Sequence, residues 1–401
     1  MYAENAKNMS TKEKKKIIVV DLSVVKTSPA GSCVMSELTG LYDSYEIHLI
    51  SNEVDEELEK HLIFHEIKTI QTPLILRYIS FSIKVYFKVN QLRKKLGKNV
   101  IIQSTQGQFP YCSISYPHFC HKAYLQKHWQ NNQLKGIKRP LRKLNHLFNA
   151  WLESIAFSNA RCIVVPSKGL GTDLVDTYPQ YESKIRVLQN PIDIAAFQQP
   201  PQFDRAQERR ALGIIPEDIV ISFVALGDFS RKGLVFIMDS LIKPKLRSEP
   251  FKILVVGGKP DEIKKYKSLG KKMGIEDKMI FVGFKKDIRP YLWVSDIFSL
   301  PSLYEIFPLV AVQAAAARIP LLVSELHGVE EYLVDGQNGW FIERNATSIA
   351  KVLKEIIDQR YDLTAMGSAA NTSVQKYDHT SFREKWRTIF KDVYEKLHGT
   401  I

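Results

Sequence analysis

The chain has 401 residues, 45% hydrophobic and 25% charged, with 56 Lys and Arg against 43 Asp and Glu for a formal net charge of +13. Length suggests two domains, and the composition excludes global disorder. Four scattered cysteines (Cys33, Cys112, Cys120, Cys162) suit neither a disulfide framework nor structural zinc, and they favour a reducing compartment.

The chain opens on a polar, lysine-bearing segment (Lys12, Lys14, Lys15, Lys16) without the apolar stretch of a secretory signal. No run of 18 apolar residues follows anywhere, so a soluble or peripherally attached protein is expected. In the first half, β-rich runs at 17–21, 46–50, 100–103, 112–116, 162–165 and 185–188 alternate with helical stretches. Between 67 and 152 there is no Asp or Glu at all, against fifteen Lys and Arg. This stretch carries the whole charge imbalance and should face an anion. Within it, 72–95 mixes Leu, Ile, Tyr and Phe with Arg77, Lys84, Lys88 and a terminal basic cluster. On a helix that pattern fits an interfacial membrane anchor, and it equally fits a core helix with solvated lysines. Nucleic acid is set aside, because no zinc-finger spacing, RNA-binding motif or heptad accompanies the charge.

A proline-bearing segment, 190–207, fits neither period and reads as a linker. The second half repeats the alternation, with strands expected at 219–225, 252–256, 279–282, 297–300, 320–323 and 340–342. Strands interleaved with helices imply parallel sheets, whose ligands bind beyond the carboxyl ends of the strands. Five of these ends run into Gly- or Pro-bearing loops: 226–233, 257–260, 283–284, 301–308 and 324–328. Pro308 suits the first position of a small-residue helix, whose free N–H groups would seat a phosphate. Arg231 and Lys232, on another loop of the rim, would close on that phosphate, and Glu305 would hydrogen-bond hydroxyls. A terminal helix is expected over 379–398 from its apolar spacing.

The run Pro-Ser-Leu-Tyr-Glu305-Ile-Phe-Pro-Leu-Val-Ala-Val-Gln313 resembles the signature of retaining family 4 (group 1) glycosyltransferases with the GT-B fold. So do the segments around Arg231-Lys232-Gly233, Gly283-Phe284 and Gly328 to Gly339. The resemblance implies two Rossmann-like, doubly wound parallel-sheet domains facing across a cleft. The expected division is an acceptor domain over 1–198, a nucleotide-sugar domain over 199–375, and a terminal helix over 376–401 crossing back to the first. Arg231 and Lys232 would then bind the donor diphosphate, and Glu305 the donor sugar. The backbone of Phe307, Pro308, Leu309 and Val310 would lie beside sugar and phosphates, and Gly283 and Phe284 beside the base. Family members usually carry a second Glu eight residues after the first, on the ribose. Here it is Gln313, a neutral donor and acceptor. The usual Gly-Gly near the first strand end appears as Ala30-Gly31-Ser32, which assigns Gly31 to the acceptor side. His118 is the better match for a histidine near the reaction centre, with His121 second.

The resulting expectation is a retaining, metal-independent glycosyltransferase without a cofactor. It would move sugar from a nucleotide-sugar to a lipid-linked or other cell-envelope glycan. The basic stretch 67–152 would hold it peripherally to the cytoplasmic membrane face. A non-catalytic sugar-nucleotide-binding or assembly protein is the alternative that Gln313 supports.

Overall fold

A computed structural model describes residues 14–399 except 71, 73, 98, 132–135 and 137. Most of the lysine-bearing start, together with Lys98 and Lys135, lies outside the described residues.

The first sheet contains β1 (Lys15–Val20), β2 (Tyr45–Ser51), β3 (Ile63–Glu66), β4 (Ile101–Thr105), β5 (Ile114–Tyr116), β6 (Cys162–Val165) and β7 (Ile185–Val187). Its order is β3-β2-β1-β4-β5-β6-β7, with every neighbouring pair parallel. The second contains β8 (Ile219–Ala225), β9 (Phe251–Gly257), β10 (Met279–Gly283), β11 (Ile297–Leu300), β12 (Leu321–Ser324) and β13 (Gly339–Ile342). It is parallel too, in the order β10-β9-β8-β11-β12-β13. Runs such as Ile17–Val20 and Val220–Ala225 are buried because crossover helices cover the sheet faces. Only β3 escapes sequence reading: Ile-Phe-His-Glu is a short, half-exposed edge strand with no apolar run to announce it.

The chain forms two compact units. One holds the first sheet, Gly171–Leu188 and the chain from Phe382 onward; the other holds Pro166–Leu170 and Gln189–Ser381. Residues 190–207 are not a free linker. The Ile192 amide donates to Tyr377 O at 2.8 Å, Gln198 Nε2 to Ala316 O at 2.9 Å, and Trp293 Nε1 to Phe197 O at 2.8 Å, so this segment is packed into the second unit. Its prolines break the period without loosening the chain.

The terminal helix His379–His398 docks in the first unit through Phe382, Trp386, Phe390 and Val393. Trp386 is fully buried against the ring of Tyr116, 5.0 Å away. Arg387 Nε donates to Gly40 O at 2.7 Å, an approach that needs glycine because a Cβ there would meet Arg383 Cβ at 2.7 Å. Replacing Trp386 by Ala should cost the first unit about 3–5 kcal/mol. Urea unfolding followed with a probe in that unit should show the earlier midpoint.

Candidate functional site

In both sheets the strand order reverses beside the first strand, between β1 and β4 and between β8 and β11. Loops leaving these strands diverge to opposite sides, which opens a crevice at the carboxyl ends.

In the second unit, the loop after β8 takes a left-handed turn at Asp228 (φ 59°) and winds into the single helical turn Phe229–Lys232. Arg231 and Lys232 therefore stand on a helical turn rather than a loop. Gly233 follows at φ 85°, and a Cβ there would lie 2.1 Å from Pro301 O. Only glycine allows the β8 and β11 loops this close. Arg344 fastens them, with Nε on Pro301 O at 3.2 Å, Nη2 on Ser230 O at 2.7 Å, and its guanidinium over the Phe236 ring. Nothing in the sequence singled out Arg344, since it lies after β13 and reaches the rim only through the fold.

This approach brings the predicted charges together. Glu305 Oε1 accepts from Arg231 Nη1 at 3.0 Å, from Ser302 Oγ at 2.8 Å and from Lys232 Nζ. Arg231 also donates to Tyr304 O at 2.7 Å and to Asp228 Oδ2 at 3.0 Å. Burial works to raise the Glu305 carboxyl, but the Lys232 and Arg231 charges and the bonds from Lys232 and Ser302 outweigh it. They hold the group below the usual carboxylate range. Glu305 does not cap the following helix.

Pro308 is the N-cap of Leu309–Ala316, one position earlier than the sequence suggests, because its ψ of 92° is still extended. No side chain caps this helix and its first turn holds no acid, so its amino end stays electropositive. Leu309 and Val310 are half-exposed there. Phe307 is buried and packs on Tyr377 and Gly328, so only its backbone can serve a ligand. Gln313 is half-buried on the same helix. Gly283 closes β10 at φ 70°, and Phe284 beyond it is exposed.

In the first unit the β1/β4 crevice holds Asp21, just past β1. Its Oδ1 accepts from the Ser23 amide at 2.8 Å. Burial raises this carboxyl to about 6, against lowering contacts from Ser23 and the Thr105 hydroxyl. The β4 loop passes through two left-handed residues, Gln106 (φ 55°) and Gly107 (φ 68°). Gln106 Oε1, Gln108 Oε1, His118 Nε2 and Arg77 Nε are buried without a hydrogen-bond partner among the described residues. Gln106, Gln108 and His118 follow the carboxyl ends of β4 and β5, and unmet polar atoms there suit a polar ligand. Sequence reading found His118 but missed Asp21, Gln106 and Gln108, whose only signal was their place after β-rich runs.

His118 follows β5, its ring 4.3 Å from that of Tyr116, and burial depresses it to about 3, so it is neutral. His121 is engaged otherwise. Its amide donates to the buried Glu153 Oε2 at 2.8 Å, and its ring nitrogen lies 3.0 Å from that of His146. Gly31 is in the first turn of helix Pro29–Leu41, where a Cβ would meet Ser23 O at 2.0 Å. It lets that helix press against the loop bearing Asp21.

Two parallel-sheet, Rossmann-like units with these strand-end crevices are the architecture of GT-B glycosyltransferases. Solved members align over nearly the whole chain. WaaG, a glycosyltransferase involved in lipopolysaccharide biosynthesis, gives a TM-score of 0.74 at 17% identity, covering 93% of this chain and 99% of its own. Anabaena HepE in complex with UDP-glucose gives 0.71 at 18% identity, covering 94% and 99%. The family model for glycosyl transferases group 1 matches residues 204–373, and that for glycosyltransferase family 4 matches 33–196. The chain belongs to the family 4, group 1 glycosyltransferases. An uncharacterized glycosyltransferase of Methanocaldococcus jannaschii, MJ1607, is 24% identical over 78% of this chain and 81% of its own length. The D-inositol 3-phosphate glycosyltransferase of Streptomyces avermitilis is 28% identical over 49% of this chain and 44% of its own length.

Two pH-dependent outcomes follow. Glu305 is depressed in the folded state, so its stabilisation is present above its unfolded value of 4.5 and lost as pH falls through the native one. Glu305→Gln should therefore cost about 1–3 kcal/mol at pH 7, with the gap from wild type closing in acid. Asp21 behaves oppositely. Between pH 3.8 and about 6 the unfolded chain gives up this proton while the folded chain keeps it, so a penalty builds and stands in full above about 6. Asp21→Asn should stabilise by about 1–3 kcal/mol at pH 8 and by nothing below the unfolded value. Thermal melts across pH read both.

Proposed function

We propose that this chain is a retaining glycosyltransferase that moves a sugar from a nucleoside-diphosphate-sugar to a lipid-linked or other cell-envelope glycan. In this reading it works peripherally at the cytoplasmic face of a membrane. The observation that carries the reading is the meeting of Arg231, Lys232 and Glu305 at the β8/β11 crevice, beside an uncapped helix end.

Expelling a nucleoside diphosphate from an anomeric carbon builds charge on the departing phosphate. Preorganised cations and helix-end N–H groups at that position stabilise the transition state more than the ground state. Arg231 and Lys232 take the diphosphate, and the amides of Leu309 and Val310 share it. Glu305 keeps both cations oriented and offers its other oxygen to a sugar hydroxyl. Phe284 flanks the base and Gln313 meets the ribose. HepE, solved with UDP-glucose, is a relative of the same fold, so UDP-sugars are the first donors to try. The acceptor is assigned to the first unit, at Asp21, Gln106, Gln108 and the neutral His118. No protein nucleophile is invoked, and the reading needs no metal.

The membrane side rests on an inverted helix. Lys138–Asn159 buries Asn145, His146, Asn149 and Glu153, yet exposes Leu141, Leu144, Leu147 and Trp151, the last at 58%. Helix Leu74–Leu96, which packs beside it, exposes Ile83, Tyr86 and Phe87, the last at 68%. Among the described residues, Lys127 makes the only ion pairs of the stretch 67–152. An apolar stripe flanked by unpaired cations matches an anionic bilayer surface. No helix among the described residues is long and apolar enough to cross a membrane.

Assaying nucleotide release across UDP-, GDP- and ADP-sugars should find one productive donor, with the product anomer retained by NMR and turnover unchanged by EDTA. Arg231→Ala and Glu305→Ala should each lower kcat by about 10²–10³-fold. Donor binding without turnover in the presence of natural acceptors would instead favour the non-catalytic alternative. In co-sedimentation with phosphatidylglycerol vesicles, Phe87→Ser combined with Trp151→Ser should weaken binding about tenfold or more. Unchanged binding would sink the membrane face.

A further inference from the structure

The first unit contains a cavity of about 400 Å³ that takes no part in the proposed transfer. It opens among Tyr86, Asn90 and Arg93 of helix Leu74–Leu96, Tyr111, Asn159 at the end of the inverted helix and Arg161 just after it. Ile102, Ser113 and Arg161 put it at the amino ends of β4, β5 and β6. The crevice of Asp21 and His118 lies at the carboxyl ends, a strand length away, about 13 Å along β4. The cavity is therefore a separate site, and its volume is in the range of small-ligand pockets.

Its chemistry is one-sided. Arg93 and Arg161 both line it, no Asp or Glu does, and neither guanidinium is paired with a carboxylate among the described residues. Asn90 and Asn159 add amides. Asn159 Nδ2 is held by Ile155 O at 2.8 Å, which leaves its oxygen as an acceptor for a ligand hydroxyl. Tyr86 and Tyr111 meet edge to face at 6.2 Å, and Tyr86 touches the exposed Phe87 at 5.7 Å. Two unpaired guanidiniums favour a phosphate, and the amides favour neighbouring hydroxyls. An aromatic edge continuous with the exposed apolar stripe favours acyl chains.

We infer that this cavity binds the headgroup of an anionic phospholipid, with the phosphate between Arg93 and Arg161 and the acyl chains leaving past Tyr86 and Phe87. The inference rests on the membrane-face reading above and deepens it: the surface would select a headgroup as well as respond to charge.

The test is calorimetric titration of the full chain with monomeric dihexanoyl-phosphatidylglycerol, dihexanoyl-phosphatidylcholine and inorganic phosphate, alongside vesicle co-sedimentation. Phosphatidylglycerol should bind saturably, at least tenfold tighter than either comparator. Arg93→Ala with Arg161→Ala should weaken it at least tenfold. Lys94→Ala with Lys95→Ala, which removes equal charge from exposed positions outside the cavity, should leave it unchanged. Equal loss in both double variants would overturn the pocket in favour of diffuse electrostatics, and equal affinity for inorganic phosphate would overturn the lipid assignment. Absence of titratable binding while vesicles still pellet the protein would sink the pocket and leave the membrane face standing. If wild-type chain fails to pellet with anionic vesicles, the membrane face itself fails, and the lipid assignment falls with it.

Discussion

The second unit turns on one carboxylate. Glu305 Oε1 collects Arg231, Lys232 and Ser302, and this convergence exists only because the β8 and β11 loops touch. That contact depends in turn on Gly233, which has no Cβ to strike Pro301, and on Arg344, which ties both loops through backbone carbonyls. Two cations held this close would repel each other without the carboxylate between them. With it they form a preorganised charged cluster beside an uncapped helix end, and in the proposed reading an incoming diphosphate would meet oriented donors instead of solvated, mobile ones.

The two units share a strand order and each sets an acid in its switch-point crevice, Glu305 after β11 and Asp21 after β1, but they treat it differently. Glu305 is compensated and stays ionised. Asp21 has only the Ser23 amide and the Thr105 hydroxyl, and burial leaves it titrating near neutrality. A compensated acid holds a fixed charge array for a strongly anionic ligand. An under-compensated one, on the same carboxyl-end rim as Gln106, Gln108 and a neutral histidine, is suited to neutral hydroxyls whose bonds it still needs. It is on this electrostatic contrast that the proposed reading assigns the donor to one rim and the acceptor to the other.

The inverted helix Lys138–Asn159 follows from the same first unit. Its first turns and Glu153 meet polar partners inside, with Glu153 accepting from the amides of His121 and Lys122 and from the Tyr178 hydroxyl, and Leu141, Leu144, Leu147 and Trp151 are left outside, while Leu152, Ala156 and Phe157 are buried. The acid-free composition of 67–152 thus has a structural counterpart: among the described residues its cations other than Lys127 pair with no acid, and they lie beside exposed apolar side chains.

Twelve strands and the terminal helix were legible in the sequence because continuous apolar runs and 3–4 spacing report local burial directly. So were Arg231, Lys232 and Glu305, since an ordered motif at strand ends limits where side chains can go. β3 was not, being an exposed edge, and neither was the packed state of 190–207, where prolines mimic a linker. Arg344, Asp21 and the cavity of Arg93 and Arg161 were decided by tertiary structure alone. Each joins residues far apart in the chain, through strand order and backbone approach. Periodicity reports the surroundings of one segment and says nothing about which distant segment lies beside it.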